Sequence, residues 1–247
     1  MSAFQRLLTI MDELRVQCPW DRKQTFRSLR KLTIEETYEL ADELLEENLE
    51  GIKEEVGDLL LHMVFYAKIA SERGAWDIHD ALNHVCDKLI HRHPHIYGDT
   101  VAEDAAAVKR NWEQIKLAEG NGKKTVLSGV PTALPAMVKA LRMQEKTAQF
   151  GFDWDNVDQV WDKVREEMEE FREADNEADR EAEFGDLLFS LINYARWRGI
   201  DPEAALARTN QKFRRRFEYV EQRAGPQGLG DMELRDMEAL WQEAKGE

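Results

Sequence analysis

Cysteine is scarce in this 247-residue chain: there are two, Cys18 and Cys86. Two thiols cannot make a disulfide framework, and they exclude a zinc ribbon or finger built on four thiolates. They suit a reducing compartment. Long apolar runs are also missing. The longest uncharged apolar run lies near Leu59 to Ala67, far short of the ~20 residues that a membrane helix needs. The opening MSAFQRLLTIMDELRVQ carries charges through its apolar positions and lacks the core of a signal peptide. A soluble, cytoplasmic protein with no membrane partner is expected. Positive charge is in deficit, with 34 Lys+Arg against 49 Asp+Glu and a net charge of −15. That balance argues against direct binding of nucleic acid or anionic lipid. A phosphorylated ligand stays open, because a divalent cation reverses the sign of a local site.

Neither a Walker loop nor GxGxxG occurs, so no glycine-rich cradle holds phosphate. ExxH is also absent, which excludes the Glu-x-x-His pairs of a di-iron carboxylate bundle. The histidines of HRHPH, beginning at His91, are too compact for one tetrahedral zinc site. Proline is rare: residues 20–93 and 136–201 contain none, and both stretches are rich in Leu, Ala, Glu, Lys and Arg. These residues favour helix, and apolar positions recur at three- and four-residue spacing, as in Leu59, Met63 and Tyr66. Alternating β-type runs are few, so the fold class expected is all-α. With 43% hydrophobic residues the chain has ample material for one or two packed domains.

An internal repeat organises the chain. EETYE at Glu35–Glu39 is echoed by EEMEE at Glu166–Glu170, and EVGDLLLHMVFYA from Glu55 by EFGDLLFSLINYA from Glu183. A glycine turn follows each copy, RGAW from Arg73 and RGID from Arg198, and then a basic segment, DKLIHRH from Asp87 and QKFRRRF from Gln211. Even the lead-in CPWD at Cys18 has its counterpart in FDWD at Phe152. We read a tandem duplication of one helical module, with an N-terminal domain over 1–118, a Gly/Pro-containing linker over 119–135 and a C-terminal domain over 136–247.

Each copy places EExxE on one helix and ExxD on the next. Residues three or four apart share a helix face, so Glu36 pairs with Glu39, Glu55 with Asp58, Glu167 with Glu170, and Glu183 with Asp186. Two such helices side by side gather four carboxylates around one point. Unneutralised, they raise one another's pKa; Mg²⁺, which takes all-oxygen shells and keeps water and phosphate oxygens, relieves that repulsion. A lone EExxE reads as a solvated acidic face, but the doubled pair favours a metal site. His62, four residues after Asp58, has Ser190 at the matching position and reads as a packing residue. Gly57 and Gly185, each just before the Asp, cost about 1 kcal/mol against Ala in a helix, which suggests a close backbone approach or a packing role.

Cations for phosphate are sought on the basic segment, where Asn210, Lys212 and Arg216 lie near one another on one helix and Arg215 adjoins them. The first copy has Cys86 for Asn210, His91 for Arg215 and Leu32 for Lys163, so the second copy keeps more phosphate-binding groups. Trp20, Trp154 and Trp241 either stack on a base or anchor helix contacts; the sequence does not choose.

LLTIMDELR, CPWD, EETYE, GDLL, HRHPHIY, WEQIK, GFDW and KFRRRF occur here in one order, and in that order they resemble the MazG family of nucleoside triphosphate pyrophosphohydrolases, two-domain bacterial type, over nearly the whole chain. The resemblance implies Mg²⁺-dependent hydrolysis of ribo- and deoxynucleoside triphosphates to the monophosphate and pyrophosphate, serving nucleotide pool control. It implies a homodimer whose helices complete four-helix active sites, and activity mainly in the C-terminal copy, with a structural or regulatory N-terminal copy open to a regulatory protein partner. Carried over by motif, Glu167, Glu170, Glu183 and Asp186 bind Mg²⁺, with Glu36, Glu39, Glu55 and Asp58 as the second set. Lys163, Asn210, Lys212, Arg215 and Arg216 hold the phosphates, Trp241 lies near the nucleotide, and Glu166 orients or deprotonates the water. The alternatives are a narrow dUTP, dCTP or phosphoribosyl-ATP pyrophosphohydrolase and a non-catalytic nucleotide-sensing dimer.

Overall fold

The computed structural model describes residues 1–101, 104, 107, 108, 111, 112, 114, 115, 125–224 and 228–246. Residues 119–124 of the expected linker lie outside the described residues. The described residues form ten α-helices and no strand. None of these helices is long and apolar enough to cross a membrane. The chain divides into two compact units, Met1–Lys116 and Leu117–Glu247.

In the first unit, α1 (Ala3–Gln17) begins where Ser2 accepts a hydrogen bond from the Gln5 amide at 3.2 Å. α2 (Phe26–Glu46) starts from a reciprocal capping box between Thr25 and Ser28, which satisfies two amides that the first turn leaves open. Glu47, at φ 54°, stops it, and α3 (Leu49–Ser71) turns back along it. α4 (Ile78–Arg92) is capped by an Asp77–Asp80 box, and Pro94 then opens the short α5 (Pro94–Tyr97), where a missing N–H costs nothing. Met11, Leu29, Val64, Phe65 and Ile69 form the core, with Leu32, Leu61 and Tyr66 packed on it. Truncating such a Leu to Ala removes roughly 2–5 kcal/mol.

The second unit comprises α6 (Ala136–Ala148), α7 (Val157–Glu173), α8 (Glu177–Trp197), α9 (Pro202–Arg223) and α10 (Leu234–Glu243). Asn156 caps α7 by accepting from the Asp158 and Gln159 amides, both at 3.1 Å, and Asn176 caps α8 by accepting from the Asp179 amide at 2.9 Å. α7 and α8 pack along each other, with Trp161 against Tyr194 at 4.8 Å and Phe171 against Phe184 at 5.6 Å between ring centres. Val160, Val164 and Ile192 are buried in this unit.

Gly74 after α3 and Gly199 after α8 both stand at φ +67°, a conformation that lacks penalty only for glycine. Behind them, the Ala75 amide donates to the Ala70 carbonyl and the Ile200 amide to the Ala195 carbonyl, closing each helix end. The two RG turns of the sequence thus do the same work. Gly57 and Gly185 behave otherwise. An added Cβ at either meets nothing within 4 Å, so the expected close backbone approach is absent inside the described chain.

Candidate functional site

The hairpin of α7 and α8 brings three of the four acids of the C-terminal copy together. Glu167 and Glu170 sit three residues apart on α7, Glu183 faces them from α8, and oxygens of all three lie within 4.8 Å of one another. Glu167 is buried, with 5% of its surface exposed. The Glu170 carboxyl is held above the usual carboxylate range, first by desolvation and then by the charge of Glu167, while Lys163 pulls it back. An all-oxygen group of like charges this close is chemically suited to a hard divalent cation.

Lys163 lies one turn before Glu167. Its Nζ donates to Glu166 Oε1 and contacts Glu167 Oε1, each at 2.7 Å, and these carboxylates raise its own pKa. The ammonium has three donors, so one is left for a ligand after these two contacts. Asp186 is not in the oxygen trio, but it joins Lys163 and Glu167 in lining a cavity of about 530 Å³.

Apart from Trp154, the other groups on that cavity had no chemical role in the sequence reading. Met143, Phe152, Trp154 and Phe189 supply its apolar wall, and Gln144, Asp153, Ser190, Asn193 and Arg196 supply polar groups. Arg196 donates from Nε to Asn193 Oδ1 at 3.0 Å and grips Asp153 with both terminal nitrogens. Asp153 also accepts from the Trp154 amide at 2.9 Å and Trp197 Nε1 at 3.0 Å. Burial pushes the Asp153 carboxyl up, but these donors outweigh it and hold it below its ordinary range. FDWD was the available signal for Phe152, Asp153 and Trp154. Gln144, on α6, belongs to no repeated motif.

The basic residues of α9 are placed differently. Asn210, Lys212 and Arg215 are exposed, and Arg216 is half-buried with its guanidinium 5.8 Å from the ring centre of Trp241. Trp241 also packs on Phe213 at 5.0 Å. None of these residues lines the cavity with Lys163.

The first unit has its own oxygen cluster, from Glu36, Glu39 and Glu55, again within 4.8 Å. Desolvation, followed by the charges of Glu39, Asp58 and Glu55, pushes the Glu36 carboxyl up to about 7. Glu55 is likewise raised, chiefly by desolvation. Asp58 is outside the trio, as Asp186 is in the second unit. Leu32, at the position matching Lys163, packs on the hydrophobic core and supplies no charge. His62 is buried, its pKa lowered by burial, and it takes no part in the oxygen cluster. A cavity of about 230 Å³ in this unit is lined by Leu8, Met11 and Lys68 among others and includes none of the clustered acids.

Residues 24–97 match the model of the MazG nucleotide pyrophosphohydrolase domain. Over 257 aligned residues the chain is 42% identical to the nucleoside triphosphate pyrophosphohydrolase of Escherichia coli K12, covering 99% of this chain and 98% of that one. It is also 42% identical to the nucleoside triphosphate pyrophosphohydrolase/pyrophosphatase MazG of Thermotoga maritima, over 98% of this chain and 96% of that one. A Bacillus subtilis protein, the uncharacterized YabN, is 46% identical over 98% of this chain and 51% of its own length.

Proposed function

The chain belongs to the MazG family of nucleoside triphosphate pyrophosphohydrolases, and from that premise we propose that its second unit carries the reaction NTP + H₂O → NMP + pyrophosphate at the Glu167–Glu170–Glu183 cluster. Ribo- and deoxynucleoside triphosphates are both substrates in this reading. The observation that carries the assignment is the conjunction of three clustered carboxylates with a lysine on the wall of a 530 Å³ cavity. In the matching place the first unit has Leu32.

Enzymes of this family use a divalent metal, and the donor set here fits one: oxygens only, close together, with Glu170 destabilised as an anion until a cation arrives. Mg²⁺ is our choice, held by Glu167, Glu170, Glu183 and, through its place beside them, Asp186. When bound, such an ion neutralises charge on phosphate oxygens and acidifies water. Lys163, with one donor uncommitted, holds a phosphate oxygen beside the carboxylates. Glu166, fixed by Lys163 at 2.7 Å, orients the attacking water and accepts its proton. Asn210, Lys212, Arg215 and Arg216 on α9 present the remaining cations, and they reach the phosphates of a substrate only in an assembled or closed form of the enzyme.

A homodimer supplies that form. On α8, Phe184, Leu188 and Leu191 are 49%, 42% and 39% exposed, and their spacing puts them on one face. Val56, Leu60 and Met63 make the same exposed stripe on α3. Two helices with apolar faces left over complete a four-helix bundle when a second hairpin covers them. The parallel between α2–α3 and α7–α8, acids and stripes included, supports a tandem duplication, with the first module in a structural or regulatory role.

One observation favours a second reading, in which the first unit is catalytic: the family model matches residues 24–97. Product analysis on a panel of NTPs and dNTPs, with and without Mg²⁺, tests the reaction. Monophosphate and pyrophosphate formed only with the metal are expected. Diphosphate and orthophosphate would put the cleavage at the other anhydride and contradict the placing of the phosphates.

A further inference from the structure

We infer that Asp153 is a positioning residue for the reaction: it ties the loop between α6 and α7 to α8 through Arg196 and Trp197, and so fixes one wall of the cavity beside Glu167 before a substrate enters. The inference rests on the reading of the second unit as the catalytic one and adds to it the residue that holds its site in shape.

Asp153 accepts four hydrogen bonds on two oxygens. Oδ1 takes the Trp154 amide at 2.9 Å, Trp197 Nε1 at 3.0 Å and Arg196 Nη2, while Oδ2 takes Arg196 Nη1 at 3.0 Å. The ion pair is thus a two-pronged fork, the geometry in which a guanidinium binds a carboxylate most firmly. Its side chains are 16% and 24% exposed, so water screens it little. Arg196 also donates from Nε to Asn193 Oδ1 at 3.0 Å. One carboxylate therefore sets Trp154, Arg196 and Asn193 together, on the cavity that Lys163, Glu167 and Asp186 also line.

Packing holds this loop only weakly, since Phe152 is 81% exposed and Trp154 41%. Two further hydrogen bonds are local: the Phe152 amide returns to the Thr147 carbonyl, and the Asp155 amide donates to Gln159 Oε1. Asp153, by contrast, crosses 43 residues to reach α8.

The first unit builds its hairpin without such a carboxylate. Matching the repeated segments puts Pro19 at Asp153, Phe65 at Asn193 and Lys68 at Arg196. Pro19 has no side-chain acceptor, Phe65 belongs to the hydrophobic core, and Lys68 pairs with Asp12 of α1 at 2.6 Å. There the loop is held by its backbone instead: Arg15 of α1 donates to the Asp21 and Gln24 carbonyls and pairs with Glu72. The fold alone does not call for the Asp153 tether, which stands in the unit whose cavity holds the lysine.

A loop fixed beforehand relieves the substrate of ordering it, so cutting the tether weakens capture and leaves the chemical step unchanged. The test uses the full-length enzyme with ATP and Mg²⁺. It reads kcat, KM and the Mg²⁺ concentration that gives half the maximal rate at saturating ATP. Asp153→Ala should raise KM by about 10- to 100-fold, with kcat and half-activating Mg²⁺ within about threefold of wild type. An unmoved KM overturns the inference. A fall in kcat alone does so too, because it would put Asp153 among the groups acting in the transition state. A joint shift of KM and half-activating Mg²⁺ also overturns it, since the α7–α8 hairpin would then have loosened as a whole. Should Asp153→Ala fail to fold, Arg196→Met cuts the same tether from α8. It should raise KM by about 10-fold, and a wild-type KM from it overturns the proposal. Glu170→Ala separates premise from inference. Turnover that survives it removes the catalytic reading of the second unit, whereas turnover lost there beside an unmoved KM in Asp153→Ala sinks the tether alone.

Discussion

Lys163 and Leu32 occupy matching positions in the two EExxE helices, and in the proposed function they separate the chemistry of the two units. The lysine sits 2.7 Å from two carboxylates on the cavity wall, and the leucine is committed to a hydrophobic core. Lys163→Leu should therefore lower kcat/KM for ATP by about 10²-fold or more, since a preorganised cation at developing phosphate charge is worth several kcal/mol. Steady-state kinetics on the folded variant check this; a loss under threefold would remove Lys163 from the site. A second prediction concerns Glu36, pushed up to about 7 from an ordinary 4.5. Being raised in the folded state, this group favours folding below its unfolded pKa, and that contribution is lost as pH climbs through about 7. A cation must displace its proton, so divalent binding to the first unit strengthens as pH rises from 6 towards 8. Calorimetric titration of the Glu170→Ala chain isolates this site, and a pH-independent affinity would contradict the account.

At the scale of the element, the helices were legible because their punctuation is local. Pro94 ends one helix and begins another, and Gly74 and Gly199 turn where the repeated RG pairs stand. The acid pairs were legible for the same reason, since three-residue spacing decides which side chains share a face. The cavity was not. Gln144 reaches Phe189 across 45 residues, and the Arg196–Asp153 pair spans 43; no helical period connects such positions. Gly57 answers one of the two readings its recurrence offered: no close backbone approach is found, since a Cβ there meets nothing within 4 Å. Gly57→Ala should accordingly stabilise the chain by about 0.5–1 kcal/mol through helix propensity alone, read from chemical denaturation. A loss of stability would mean that a neighbour outside the described chain occupies that space.

In the whole molecule each of the two units has a cluster of three acids, and in the proposed reading the units divide the labour. Each leaves an apolar stripe uncovered, on α3 and on α8. In solution the chain should run as a dimer of twice its 28.7 kDa, and Leu188→Glu should shift light-scattering mass towards the monomer with loss of activity. A fully active monomer would remove the need for a completed bundle. The most direct test of the division of labour is a side-by-side measurement of Mg²⁺-dependent pyrophosphate release by Glu170→Ala and Glu39→Ala, both checked for folding. Glu170→Ala should abolish release while Glu39→Ala retains most of it. Equal losses, or loss confined to Glu39→Ala, would contradict the placing of catalysis in the second unit.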